Sequence, residues 1–407
     1  MNVDLQINNS PNPNTRFVSW TPSPCRIRVT NPAGATGPTV SLKLSSKSAA
    51  GGGAVVFRAG TTGPFVSTLT LTVPTGGASV SFFTAGKFGQ PSVNNGDVSI
   101  EARFGATLVG TVPLMVRIRK NANKLTVGER DRFIAAYAQL NNQGAGRFQD
   151  FREAHTQASQ PQAHGRPGFL PWHRAFILDL ERELQAIDPS VSLHYWRFDQ
   201  VAKNVFTLDF MGKADPTGTA QFSAGHPFHF WVTDGTPGIN RNPLFNTDTQ
   251  FASVIGEAAT LGLGNSYALF RGMEGNPHGN AHTSFDGSID SIPTAAKDPL
   301  FFMLHCNVDR LWAKWQVQNS RFDPAVVASY DSAHAVDIGH HLVDTMWPWN
   351  GITGGTRPPT APGGTMAPSP SVSAPGLMPK VRDMLDMQGR INAAARLGFD
   401  YDDVKFV

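Results

Sequence analysis

Histidines in two groups of three are the residues most able to do chemistry in this sequence. The second group lies in E-G-N-P-H-G-N-A-H (Glu274–His282) and D-P-L-F-F-M-L-H-C-N-V-D-R-L-W (Asp298–Trp312). His278 and His282 are four apart, so a helix would stack them one turn above each other, where both could grip one metal ion. Asp298 and Pro299 read as the cap and first position of a following helix. On that helix His305 shares the apolar face of Phe301, Phe302, Val308 and Trp312. A polar ring directed inward needs a partner, and a metal supplies one.

A matching group lies upstream. In R-F-Q-D-F-R-E-A-H the residues Phe148, Phe151 and His155 fall on one side of a predicted helix. His164 follows in a loop of Gln, Pro and Gly. His173 opens a helix whose inner face continues through Phe176, Ile177, Leu180, Leu184 and Ile187. Each of these histidines taken singly fits a hydrogen-bonded core or loop residue. Together they predict two three-imidazole sites, and so two metal ions, in the core of a helical bundle. Neither triad contains a carboxylate, which disfavours Mg, Ca and Mn. The one nearby thiol, Cys306, is too little for structural zinc or iron–sulfur. Zinc, copper, iron and nickel all suit imidazole, with copper at the head of the affinity series. A pair of coppers could exchange two electrons with dioxygen.

The elements that must position these rings come from the rest of the 407 residues, enough for two or three domains. None of the twelve histidines precedes Glu153. Residues 1–112 are rich in Ser, Thr, Val and Gly in short alternating runs such as C-R-I-R-V-T-N and T-L-T-L-T-V-P-T, which predicts a small all-β, immunoglobulin-like sandwich. Residues 113–407 change to helical spacing, with a capping box at Thr126 and Glu129 opening a helix through Phe133, Ile134, Tyr137 and Leu140. They predict a mainly α catalytic domain built on a four-helix bundle that holds the metals. Residues 351–376, rich in Pro, Gly, Thr and Ser, read as a flexible loop within that domain. The net charge of +3 is scattered, which argues against a nucleic-acid partner. No run is long enough to span a membrane. The first residues show no secretory signal, and the two cysteines form no disulfide framework, so a soluble, cytoplasmic protein is expected, with export alongside a partner left open.

Two of these segments resemble a known family. H-x8-H with F-L-P-W-H-R (His164 to Arg174), followed by L-H-Y-W-R-F-D, is similar to the copper A region of tyrosinases and catechol oxidases. Asp298–Trp312 is similar to their copper B signature, D-P-x-F-x-x-x-H-x-x-x-D. The resemblance runs from about Val116 to the C-terminus. It implies a type 3 dicopper centre, with His155, His164 and His173 on one copper and His278, His282 and His305 on the other. It implies oxidation of o-diphenols to o-quinones by dioxygen, with ortho-hydroxylation of monophenols in some members. Small phenols and O2 are the implied partners. Other readings are a hemocyanin-like reversible oxygen carrier, a diphenolase-only catechol oxidase and an o-aminophenol oxidase.

Further positions follow from the same resemblance. Glu274 matches the acidic residue that orients a water near the coppers, and Ile292 aligns with a gate position over copper A. Asp309 reads as an arginine partner. Phe399-Asp400-Tyr401 resembles an aromatic-x-Tyr motif whose partner is an arginine, here Arg117 or Arg119. Gly279 stands where efficient monophenol hydroxylases commonly carry Asn, and Asn280 is one residue further on. Leu304 replaces a frequent extra histidine, and no cysteine neighbours His164. His226 and His229 read as structural or substrate-edge residues, and His334, His340 and His341 as surface residues.

Overall fold

The computed structural model describes residues 1–331, 338–355 and 357–406; His334 lies outside them. The chain divides into two compact units. One comprises residues 1–118, 369–373 and 398–407, and the other residues 119–368 and 374–397.

The first unit is β-rich. Its strands are β1 (Asn2–Ile7), β2 (Phe17–Val18), β3 (Ser23–Asn31), β4 (Thr39–Ser48), β5 (Val55–Arg58), β6 (Thr68–Pro74), β7 (Val80–Gly86), β8 (Val98–Phe104) and β9 (Thr107–Val116). They form a four-stranded sheet, β1-β3-β7-β5, and a five-stranded sheet, β2-β9-β8-β4-β6. Alternation sets which side chains go inward. Cys25, Ile27 and Val29 of β3 share one apolar core with Leu42 and Leu44 of β4 and Ile100 and Ala102 of β8. The last residues of the chain join this unit: Trp20 Nε1 donates to the Tyr401 carbonyl at 2.8 Å, and the Thr21 amide donates to Asp400 Oδ2 at 2.9 Å.

The second unit contains α1 (Val127–Asn141), α2 (Phe148–Ala154), α3 (Gln160–Ala163), α4 (Phe169–Ile187), α5 (Glu257–Leu261), α6 (Tyr267–Phe270), α7 (Asn280–His282) and α8 (Leu300–Asn319). Among the described residues only α1, α4 and α8 run beyond two turns. The expected mainly α domain on a four-helix bundle is therefore corrected. About 30% of the molecule is helical and 22% is strand. Between α4 and α8 the chain is dense in Gly, Pro and Asn, which forfeit helical hydrogen bonds or favour turns. It settles into short helices, tight turns and two-stranded ladders such as Arg241–Pro243 against Phe285–Gly287. α4 and α8 still pack on each other, and each is almost wholly buried.

Local chemistry sets the helix ends. At α1, the Glu129 amide donates to Thr126 Oγ1 and the Thr126 amide donates to Glu129 Oε2. Ahead of α8, Asp298 Oδ1 accepts from the Leu300 amide at 2.9 Å while Arg241 pairs with the same buried carboxylate at 2.7 Å. Ahead of α4, Gly168 is needed because a Cβ there would lie 2.5 Å from the His340 ring. His340 is fully buried, accepting from the Gly168 amide and donating to the Pro161 carbonyl, which corrects its surface reading. His341 is exposed.

Candidate metal centre

The six histidines converge from different kinds of backbone. His155 sits just past the end of α2, and His164 lies in the loop after α3. His173 lies one turn into α4, and His305 is in α8. His278 and His282 ride a wide, π-type turn over Gly275–Gly279 that passes directly into α7. Within each triad one nitrogen per ring lies within 4.8 Å of the others. The triads face each other, and the His173 and His305 rings stack at 4.1 Å between centroids and 7° between planes.

Four rings are anchored through Nδ1. His155 donates to the Ile292 carbonyl (3.0 Å), His173 to Phe169 (2.9 Å), His278 to Glu274 (2.8 Å) and His282 to Ile289 (2.7 Å). Such a bond fixes the tautomer and turns the lone pair of Nε2 toward the centre. The Nε2 atoms of His155, His173 and His278 are buried without a hydrogen-bond partner, and His282 Nε2 lies 3.2 Å from His305 Nε2. Buried imidazole nitrogens left unpaired in this way are costly unless something binds them. The donor set therefore fits a metal ion at each triad.

Electrostatics agree. Burial, reinforced by neighbouring imidazoles, pulls His155 down to about 3, and burial pulls His282 down to about 4. His164, His173, His278 and His305 are also pushed well down, first by burial and then by neighbouring imidazoles. All six are neutral near pH 7, the form that ligates metal. Phe301 packs on His155 and His305, and Phe169 on His173 and His278, giving the centre an apolar wall.

Behind the rings lies a buried ion network. Asp309, one turn beyond His305, pairs with Arg174 (2.5 Å) and Arg119 (3.3 Å), and Arg119 also pairs with Glu181 (2.7 Å). Arg174 lies flat on Trp312 at 3.7 Å and donates to Gln316 Oε1 and the Met384 carbonyl. Asp309 thus ties α4 to α8 next to their histidines.

A cavity of about 350 Å³ opens onto His155, His164, His278 and His282. Glu274, Gly279 and Ile292 line it, while Asn280 does not. The Asn280 side chain donates to the Ser253 carbonyl at 3.1 Å, beside a separate groove formed by residues 249–255. Glu274 Oε1 accepts from the Gly165 amide at 2.5 Å, and burial pushes its carboxyl up to about 7. His226 caps a short turn through the Phe228 amide, away from the cavity. Gln160, Thr283 and Asp290 also line the cavity and were not singled out in the sequence, because nothing in their spacing distinguishes them. The carbonyls of Ile289 and Ile292 were equally invisible, since any residue supplies a carbonyl.

The sequence profile described as the common central domain of tyrosinase matches residues 145–318. Over 267 residues the chain is 32% identical to a tyrosinase of Streptomyces glaucescens, covering 57% of this chain and 92% of that protein. Over 270 residues it is 29% identical to a tyrosinase of Streptomyces antibioticus, covering 58% and 94%. A functional unit of octopus hemocyanin aligns with 72% of this chain and 69% of its own, at 20% identity and a TM-score of 0.47. With two imidazole triads and a relative matched over nearly its whole length, this chain belongs to the tyrosinase family of copper-dependent oxidoreductases.

Proposed function

We propose that this protein oxidises o-diphenols to o-quinones with dioxygen at a pair of coppers, one held by His155, His164 and His173 and the other by His278, His282 and His305. The single observation that carries the reading is the pair of facing imidazole triads beneath an open cavity, with the Nε2 atoms of His155, His173 and His278 buried and unpaired. The coppers, when bound, would supply two-electron exchange with dioxygen. The protein's share is to hold the imidazoles through four backbone carbonyls and to keep water away with Phe169 and Phe301. Glu274 sits in the cavity wall with a carboxyl poised near neutrality, suited to taking the proton from a phenolic hydroxyl directly or through a water. Ile292 offers an apolar contact for the aromatic ring at the cavity edge.

The balance between diphenols and monophenols leans toward diphenols. Gly279 brings no side chain to the cavity, and the Asn280 amide is engaged by Ser253, so neither helps a water accept the proton of a monophenol. A cavity of this size, within the range of small-molecule sites, favours an enzyme over a reversible oxygen carrier. Metal analysis with a catechol assay tests the proposal. Two coppers per chain and oxygen-dependent quinone formation are expected. Fewer than two coppers at full reconstitution would overturn the ligand set, and two coppers without turnover would favour the carrier.

A further inference from the structure

Asp290 is an exposed carboxylate on the wall of the cavity above the histidines. Its segment is clamped at both ends to the metal centre. The neighbouring Ile289 carbonyl accepts from His282, and the Ile292 carbonyl, two residues on, accepts from His155. One ring from each triad is thereby tied to four consecutive residues. Gly287 (φ +109°) fixes the approach to this segment, since a Cβ there would meet the Asn240 carbonyl at 2.5 Å. The Ser288 amide donates to that carbonyl at 2.9 Å, and Thr294 Oγ1 donates to the Ser288 carbonyl at 2.7 Å.

The Asp290 side chain is exposed, lines the cavity, and makes no hydrogen bond or ion pair among the described residues. The nearest cation in sequence, Lys297, is taken by Asp234 at 2.7 Å. Among the described residues no lysine or arginine lines the cavity, and its acidic groups are Asp290 and Glu274. Arg271, which acts on Glu274, is paired with Asp331. A carboxylate with no partner at the rim attracts a cation and repels an anion, and the low-dielectric wall strengthens both effects.

We infer that Asp290 is a specificity-determining residue that favours phenols bearing a protonated amine on the side chain over phenols bearing a carboxylate. The inference rests on the phenol-oxidase reading above and names the substrate class of the same site. The phenolic end would face the imidazole floor while the ammonium group meets Asp290 at the mouth. Discrimination then comes from repulsion as much as from attraction.

The test uses the copper-loaded full chain and its Asp290→Asn and Asp290→Lys variants, with copper content measured for each. The probes are dopamine (cationic), ethylcatechol (neutral) and dihydroxyphenylacetate (anionic). The wild type should prefer them in that order by kcat/KM. Asp290→Asn should lower the dopamine-to-ethylcatechol ratio by about threefold, mainly through KM, the size expected of one solvent-exposed charge pair. Asp290→Lys should invert the order, and added salt should compress the wild-type preference. Ratios unmoved in both variants would overturn the inference while leaving the oxidase reading intact. Failure of fully loaded wild type to oxidise ethylcatechol would sink the oxidase reading, and this inference with it.

Discussion

The two triads use the same three-imidazole chemistry but are built differently. The second is wholly buried: His278 and His282 sit on one continuous turn, each anchored by a carbonyl, and His305 lies inside α8. The first draws on three separate elements, and its His164 is only partly buried, in a loop, with no carbonyl fixing its Nδ1. The bridge between them is the His173–His305 stack on the two long helices. Rigid support is thus uneven, although the cavity opens onto two rings of each half.

Removing the stack should have the largest effect. His305→Ala is expected to abolish catechol oxidation and lower copper content, because it deletes one ligand and opens a hole in the core. His164→Ala should also cost the first site its metal, yet leave folding stability within about 0.5 kcal/mol of wild type. Copper analysis and thermal melting of both variants check this. Equal destabilisation by the two would erase the distinction between a core half and a loop half.

Next comes the ion network. Asp309→Asn leaves two buried guanidinium groups short of a charge partner, and a loss of roughly 3 kcal/mol in urea unfolding is expected. Because Asp309 touches the helices rather than the rings, copper stoichiometry in the folded fraction should hold. If stability is unchanged, the tie between α4 and α8 lies elsewhere.

A smaller effect concerns pH in metal-free protein. Burial holds His155 at about 3, His194 at about 3 and His282 at about 4, so below pH about 6.5 the unfolded chain binds protons that the folded chain does not. These rings make stability rise as pH climbs from about 4 to about 6.5. Glu274 and Asp179, raised by burial to about 7 and about 6, pull the other way over much of that window. The depressed imidazoles outnumber them, so denaturant midpoints should increase with pH across it. A falling midpoint would mean that the triads do not stay neutral in the folded state.

The smallest expected effect is kinetic. A chelator titrated into loaded protein should strip the first triad ahead of the second, giving two phases separated by roughly a few-fold in rate, since His164 pays less structural cost to move. A single phase for both coppers would show that the halves behave as one unit despite their different supports.

Much of this was legible in the sequence wherever the determining interactions are local. The Thr126–Glu129 capping box, the Asp298 cap and the inward faces of α4 and α8 each depend on residues within a few turns, and periodicity reports them. Chain positions 278 and 282 fixed a shared face for two imidazoles even though the backbone there is a wide turn rather than a long helix. Expecting a mainly α unit failed because histidine spacing says which rings must meet, and says nothing about how much helix is needed to bring them together.

What the sequence alone determined is the candidate donor set: twelve histidines of which six fall in two spaced groups, free of carboxylates, beside apolar residues. Tertiary structure decided how each ring is aimed. The His155 tautomer depends on a carbonyl 137 residues away, and the Asp309 partners lie 135 and 190 residues back along the chain. Backbone carbonyls carry no residue identity, and contacts at such separations leave no period, so they exist only once the chain has folded.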